Sequence, residues 1–191
     1  MSRLAPLVGD ERWFAQLTGA TLLGAIGSSD VVPLLQPLLR KTDPRVARAA
    51  VMALGKIDDP AAARAVQTVL RAATGALRKT VIDALVAERD PRVVPLLSRV
   101  IAESAPLGAD HVVVIEMVDA LAQVGCDTAL PALLTTSRVT RFLGGKKVKA
   151  LKEHAVDAMV RIGGVKAAAA LDDLARSGDR ALRKIVAQKR R

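Results

Sequence analysis

Apolar side chains in DPRVARAAVMALGKIDDPAAARAVQTVL, residues 43–70, fall at Val46, Ala50, Ala53, Leu54 and Ile57, then after a short polar break at Val66, Val69 and Leu70. Steps of three and four residues keep side chains on one face of a helix, so the stretch predicts two amphipathic helices joined by a turn. The pattern recurs. LLGAI (22–26) superposes on ALGKI (53–57) at a shift of 31, and the same shift carries Leu54 onto Leu85. Longer steps of 36 and 38 lead to Leu121 and Met159. The second half of each unit repeats independently, with VVPLLQPLL (31–39), AARAVQTVL (62–70) and VVPLLSRVI (93–101) again 31 apart. Agreement of two registers marks an array of helical hairpins. A single hairpin cannot bury its own apolar face, whereas stacked hairpins share a continuous core.

First helices of the hairpins are predicted over 11–27, 44–57, 75–88, 109–125, 147–162 and 180–189, and second helices over 30–41, 60–73, 91–103, 127–137 and 164–176. Asp43 is placed to cap the helix that begins at Pro44, Asp90-Pro91 to start another, and Gly24 or Gly27 to close the first hairpin.

DPRVARAAVMALGKIDDPAAARAV resembles the short HEAT repeats of the phycobilisome-lyase type, whose units read approximately Asp-Pro-x-Val-Arg-x-x-Ala-x-x-Ala-Leu-Gly-x-Ile. The likeness runs from about residue 12 to 189. It weakens in the third unit, where Val86 and Glu88 stand at the Gly and Ile positions, and in the fifth, where Met159 and Val160 replace Leu-Gly. The resemblance implies an all-α, right-handed α-solenoid of about five HEAT-like hairpins plus a C-terminal helix. Its repeats are expected at 11–43, 44–74, 75–108, 109–146 and 147–178, with the terminal helix at 179–191, all in a single domain. It also implies a role mainly in protein binding, with nucleic-acid binding and enzyme activity as minority uses of the family.

Composition agrees with helices. The chain of 191 residues is 51% hydrophobic, has no Tyr and only two Phe and one Trp, and draws its apolar content from Ala, Leu and Val. That palette suits close helix packing and excludes wholesale disorder. The longest uncharged run, from Trp13 to Ser29, contains Gln16, Thr18, Ser28 and three glycines and is too short to span a bilayer. Nothing at the N-terminus reads as a secretion signal, so a cytoplasmic location is expected. The lone Cys126 is expected to pack as a small apolar residue.

Charge changes the picture. The net charge is +10, and the cations gather where one hairpin hands over to the next. Arg40, Arg71, Arg138 and Arg176 share a register at the ends of second helices, where the helix dipole favours cations by about 0.3–1 kcal/mol. Arg78, Lys152 and Arg183 share a register at the starts of first helices, the wrong end for the dipole, and read either as a structural ladder or as a binding edge. The connection RVTRFLGGKKVKALK carries Arg138, Arg141, Lys146, Lys147, Lys149 and Lys152 with no acid, plus Phe142, which is more charge than stacking requires. Apart from Arg78, and with Lys184 added, these residues are the expected contacts for an acidic protein partner, held along a basic edge and a groove of second helices. Glu103 and Asp110 interrupt the edge. Sequence-independent nucleic-acid binding through phosphate contacts is the alternative, and the resemblance leaves a relative or accessory subunit of a bilin lyase as a third. Trp13 and Phe14, in the first turn of the first repeat, read either as a docking surface or as rings folded onto the Leu22 and Leu23 layer.

No catalytic, cofactor or metal site is expected. GGKK lacks the preceding glycine and the Ser or Thr of a phosphate loop. Glu153-His154 is similar, in reversed order, to the His-Glu pairs of HEAT-repeat metal hydroxylases, but His111 lies in a different register; His154 is expected on a solvated face and His111 at a helix start. Asp58-Asp59 and Asp172-Asp173 point about 100° apart on a helix and are expected at caps or in solvent. The HEAT-like alkylpurine DNA glycosylases are also basic solenoids, but the sparse aromatic residues here are too far apart for reading a flipped base.

Overall fold

The computed structural model describes residues 4–73, 76–87, 89–140 and 145–190. It is all-α, with no strand among the described residues, and its helices gather into two compact units, Met1–Val100 and Ile101–Arg191.

In the first unit, α1 (Ala5–Gly9) and α2 (Trp13–Ile26) precede α3 (Val32–Leu35), α4 (Pro44–Gly55), α5 (Pro60–Ala72) and α6 (Ala76–Val86), and α7 (Val94–Ala102) begins at the end of the unit. The first helices α2, α4 and α6 stack in sequence, while α3 packs on α4 and α5. Leu23, Leu35, Leu39, Leu54, Leu70 and Leu85 are buried between the two rows. Helix starts follow the aspartates: Asp43 accepts from the Arg45 amide at 2.9 Å, and Asp59 from the Ala61 amide at 2.7 Å. Proline follows each at the first helical position, where its missing N–H leaves no bond unmade.

Two glycines divide the tasks expected of one. Gly27 ends α2 with φ +68°, a left-handed conformation that strains a residue bearing a Cβ. Gly24 is a helix-packing residue, because a Cβ there would lie 2.7 Å from the Cα of Ala53 on α4.

The first second-helix departs from the continuous 30–41 expected. Ser29–Val31 is a 3-10 turn, Val32–Leu35 is α-helical, and Gln36–Arg40 is 3-10 again. Pro37 cannot donate to the carbonyl four residues before it and crowds that turn, so the chain tightens into three-residue turns. Helix α1 was not expected either; it lies against α2, and its Val8 is buried.

In the second unit, α8 (His111–Val124), α9 (Leu130–Ser137), α10 (Gly145–Ile162), α11 (Gly164–Ser177) and α12 (Arg180–Lys189) follow one another. Helix α10 packs on the other four, with Leu151, Val156 and Met159 buried against a core that includes Met117, Leu121, Leu133 and Leu174. It begins at Gly145, two residues earlier than expected, so Lys146 joins Lys147 and Lys149 on the helix. Asp179 caps α12 by accepting from the Leu182 amide at 2.8 Å.

Candidate functional site

On the second-helix side of the first unit, two shallow depressions meet at Arg40. One, of about 210 Å³, lies over Pro33, Pro37, Thr68 and Val69; the other, of about 280 Å³, lies over Val69, Ala72, Ala73 and Leu77. The second is almost wholly apolar, whereas the first is mixed, with Gln36 and Thr68 beside its prolines. The Arg40 side chain is exposed and ends a helical segment, where the carbonyl dipoles favour its charge; no described carboxylate pairs with it. Arg71 stands exposed in the last turn of α5. Arg78 turns inward to donate from Nε to the Leu70 carbonyl at 3.1 Å, tying the start of α6 to the end of α5.

In the second unit the cations divide into two kinds. Arg138 pairs with Asp173 at 2.6 Å, Lys149 lies 3.6 Å from Glu153, and Lys147 donates to the Leu107 and Gly108 carbonyls at 3.3 and 3.1 Å. Lys146, Arg176, Arg183 and Lys184 are exposed, as is Arg180, and none of these five makes an ion pair among the described residues. Arg176 to Lys184 surround the turn from α11 to α12. Arg141 and Phe142, expected as contacts, lie outside the described residues.

Lys152 is a correction. It was expected on the contact surface, yet it is 2% exposed and its ammonium is bound to the Asp179 carboxylate. That pairing, then the Leu182 amide, holds the Asp179 carboxyl below the usual carboxylate range. The side chain starts in the first half of α10 but reaches the cap of α12, so the cation fastens the terminal helix and is inaccessible to a partner. Asp110, expected to interrupt the basic edge, is buried as well and accepts from the Ala105 amide at 2.8 Å.

The remaining acid and histidine candidates resolve into structural contacts. His154 is half-buried rather than solvated, its Nδ1 2.9 Å from Asp119 Oδ1 on α8. His111 starts α8 with Nδ1 2.8 Å from the Pro106 carbonyl. Asp58 pairs with Arg99 at 3.1 Å, and Asp172 pairs with Arg190. Among the described residues no group of three His, Cys, Asp or Glu could hold a metal ion, and no helix is long and apolar enough to cross a membrane. Cys126 is half-buried with its sulfur 2.9 Å from Thr128 Oγ1, a more polar setting than expected. Sequence reasoning missed Asp119, Asp173 and Asp179 as partners because they sit 35, 35 and 27 residues from the side chains they meet.

Trp13 and Phe14 stand half-exposed in the first turn of α2. They are 41% and 50% exposed, their rings meet edge to face at 6.0 Å, and each carries a guanidinium: Arg45 lies 3.5 Å from the Trp13 centroid and Arg12 5.2 Å from that of Phe14. Both arginines are in turn held by an aspartate two residues earlier. The Arg12 guanidinium and amide bring the Asp10 carboxyl down to about 2, and Arg45 lowers that of Asp43 in the same way.

The profile of the HEAT repeats family matches residues 2–85, which supports a HEAT-repeat protein. No curated protein matches the sequence. Among solved structures, human deoxyhypusine hydroxylase in complex with glycerol is similar at 18% identity and a TM-score of 0.44, over 97% of this chain and 81% of that one. An engineered protein is similar at 20% identity and a TM-score of 0.39, over 98% of this chain and 93% of that one.

Proposed function

We propose that the chain is a non-catalytic protein-binding scaffold that takes an acidic partner on the second-helix side of its first unit and at the basic turn of its second. HEAT repeats generally mediate protein interactions, and their stacked helices form extended binding surfaces. The observation that carries the reading is the division among the cations. Arg40 stands free where a mixed and an apolar depression meet, and Arg176, Arg183 and Lys184 stand free around one turn, while Arg78, Arg138 and Lys152 have internal partners. A cation already bound to an internal carboxylate has little left to offer a partner; an exposed, unpaired one retains its full attraction for an acidic surface.

Apolar floors next to free cations suit a protein surface, which supplies both apolar and acidic groups. They suit a phosphate backbone less, because a backbone offers charge without apolar groups.

The test is affinity capture from native lysate, with and without nuclease, using the natural chain and a variant carrying Arg40→Ser, Arg176→Ser, Arg183→Ser and Lys184→Ser. The expected result is an acidic protein that survives nuclease treatment and is lost from the variant, whose melting temperature stays nearly unchanged because exposed charges contribute little to folding. Capture of nucleic acid alone, released by moderate salt, would replace this reading with the electrostatic one.

A further inference from the structure

The first-helix side of the first unit carries a groove larger than either depression above, of about 360 Å³, between α2 and α4. Its existence follows from the close approach at Gly24. Gly24, Ala49 and Ala53 form a low floor of small residues, and Leu17 and Met52 flank it. Arg45, Arg48 and Lys56 line it from one end of α4 to the other. These three fall on one stripe of the helix, and at 1.5 Å per residue the stripe is about 16 Å long, or three helical turns.

The charges differ in availability. Arg45 is fixed by Asp43 at 2.7 Å and by the Trp13 ring, so it shapes the N-terminal end of the groove. Arg48 and Lys56 are exposed and make no ion pair among the described residues; the nearby Asp90 carboxyl is held low first by Arg92, and Lys56 adds only a minor part. The result is an apolar trough with unneutralised positive charge at its middle and far end.

We propose that this groove is a second docking site and that its occupant is an acidic amphipathic helix of about three turns. Small residues on the floor allow a helix to approach closely, as Gly24 already allows α4 to approach α2. Apolar side chains on one stripe of the occupant would meet Leu17 and Met52, while flanking carboxylates would meet Arg48 and Lys56. A second copy of this chain fits less well: at a net charge of +10, two copies repel each other. The site lies on first helices, apart from the second-helix depressions around Arg40, so either can fail without the other.

The single tryptophan gives the groove its own reporter, because Trp13 closes its end through Arg45. The probe is a stapled helical peptide of about four turns with leucines along one stripe and glutamates beside them, stapled because short isolated helices are marginal in water. A second peptide carries lysine in place of glutamate. At low salt the acidic peptide should saturate binding and shift Trp13 fluorescence, and the lysine peptide should do neither. Arg48→Glu with Lys56→Glu should weaken the acidic peptide at least about tenfold, and Ala49→Phe, which fills the floor, should abolish binding, with thermal melts confirming that both variants fold.

Absence of saturable binding, or equal binding by the double variant, would overturn the proposal. Loss of binding on Arg40→Ser with Arg48→Glu/Lys56→Glu unaffected would place the helix on the second-helix side and overturn it too. Self-association of the natural chain that the double variant abolishes would assign the groove to a second copy instead.

Discussion

Lys152 is where charge and burial meet most sharply. An ammonium removed from water is tolerated because the Asp179 carboxylate reaches it, and the two partners differ: the Lys152 side chain is 3% exposed and that of Asp179 44%. Removing each should therefore have unequal effects. Asp179→Ala strands a buried charge and removes the cap of α12, and should cost about 2–4 kcal/mol, below the full value for a buried pair because water still reaches the site. Lys152→Met leaves a carboxylate that water can solvate and should cost under about 1 kcal/mol. Urea unfolding of both variants measures the difference. The pH dependence has a fixed sign. The folded carboxylate binds protons more weakly than the unfolded one, so its contribution is complete above about pH 4 and is lost as pH falls through the depressed folded value. In Lys152→Met the acid limb of the stability curve should be shallower.

Helices in the first unit are positioned by two local rules and one contact that sequence does not display. Asp followed by Pro starts α4 and α5, and Gly27 in the left-handed region ends α2. Pro37 breaks the first second-helix, which makes the depressions beside Arg40 shallow and irregular. The contact is that of Gly24 with Ala53. In an exposed helix interior, Gly→Ala stabilises by about 1 kcal/mol. At Gly24 the sign should reverse, because the added Cβ would overlap the backbone of α4. Gly24→Ala is expected to destabilise by about 1–3 kcal/mol, read as a lower melting temperature. Unchanged or raised stability would mean that α2 and α4 stand further apart, and the groove between them would then lose its floor.

On the scale of the whole molecule, the net charge of +10 and pI near 10.5 govern encounters more than folding. Raising salt from about 0.05 to 0.5 M should slow association with an acidic partner by at least about tenfold, because screening cuts the reach of the charges to a few ångströms. The melting temperature should move by only a few degrees, since the exposed ion pairs contribute little. Stopped-flow association and a thermal melt across the same salt series separate the two effects. Much of the fold was legible without coordinates. Hydrophobic spacing placed the long helices because a helix buries one face at a fixed period; Asp43-Pro44 placed the start of α4, and Asp90-Pro91 the 3-10 turn that leads into α7, because capping is local. Helix α1 escaped because five residues are too few to show a period. Sequence also supplied the cations, their crowding between hairpins and the absence of any recognisable catalytic motif. It could not say which cations were free. Arg138 and Lys152 share the same basic run with Lys146, but their partners Asp173 and Asp179 lie in distant helices that only packing brings near. The groove over Gly24 was hidden for the same reason: its floor and charges come from two helices separated in the chain, and a cavity exists only when both backbones are in place. Local periodicity and capping are written in the order of residues. Whether a charge is spent internally or left for a partner is decided by contacts between elements, and those belong to the tertiary structure alone.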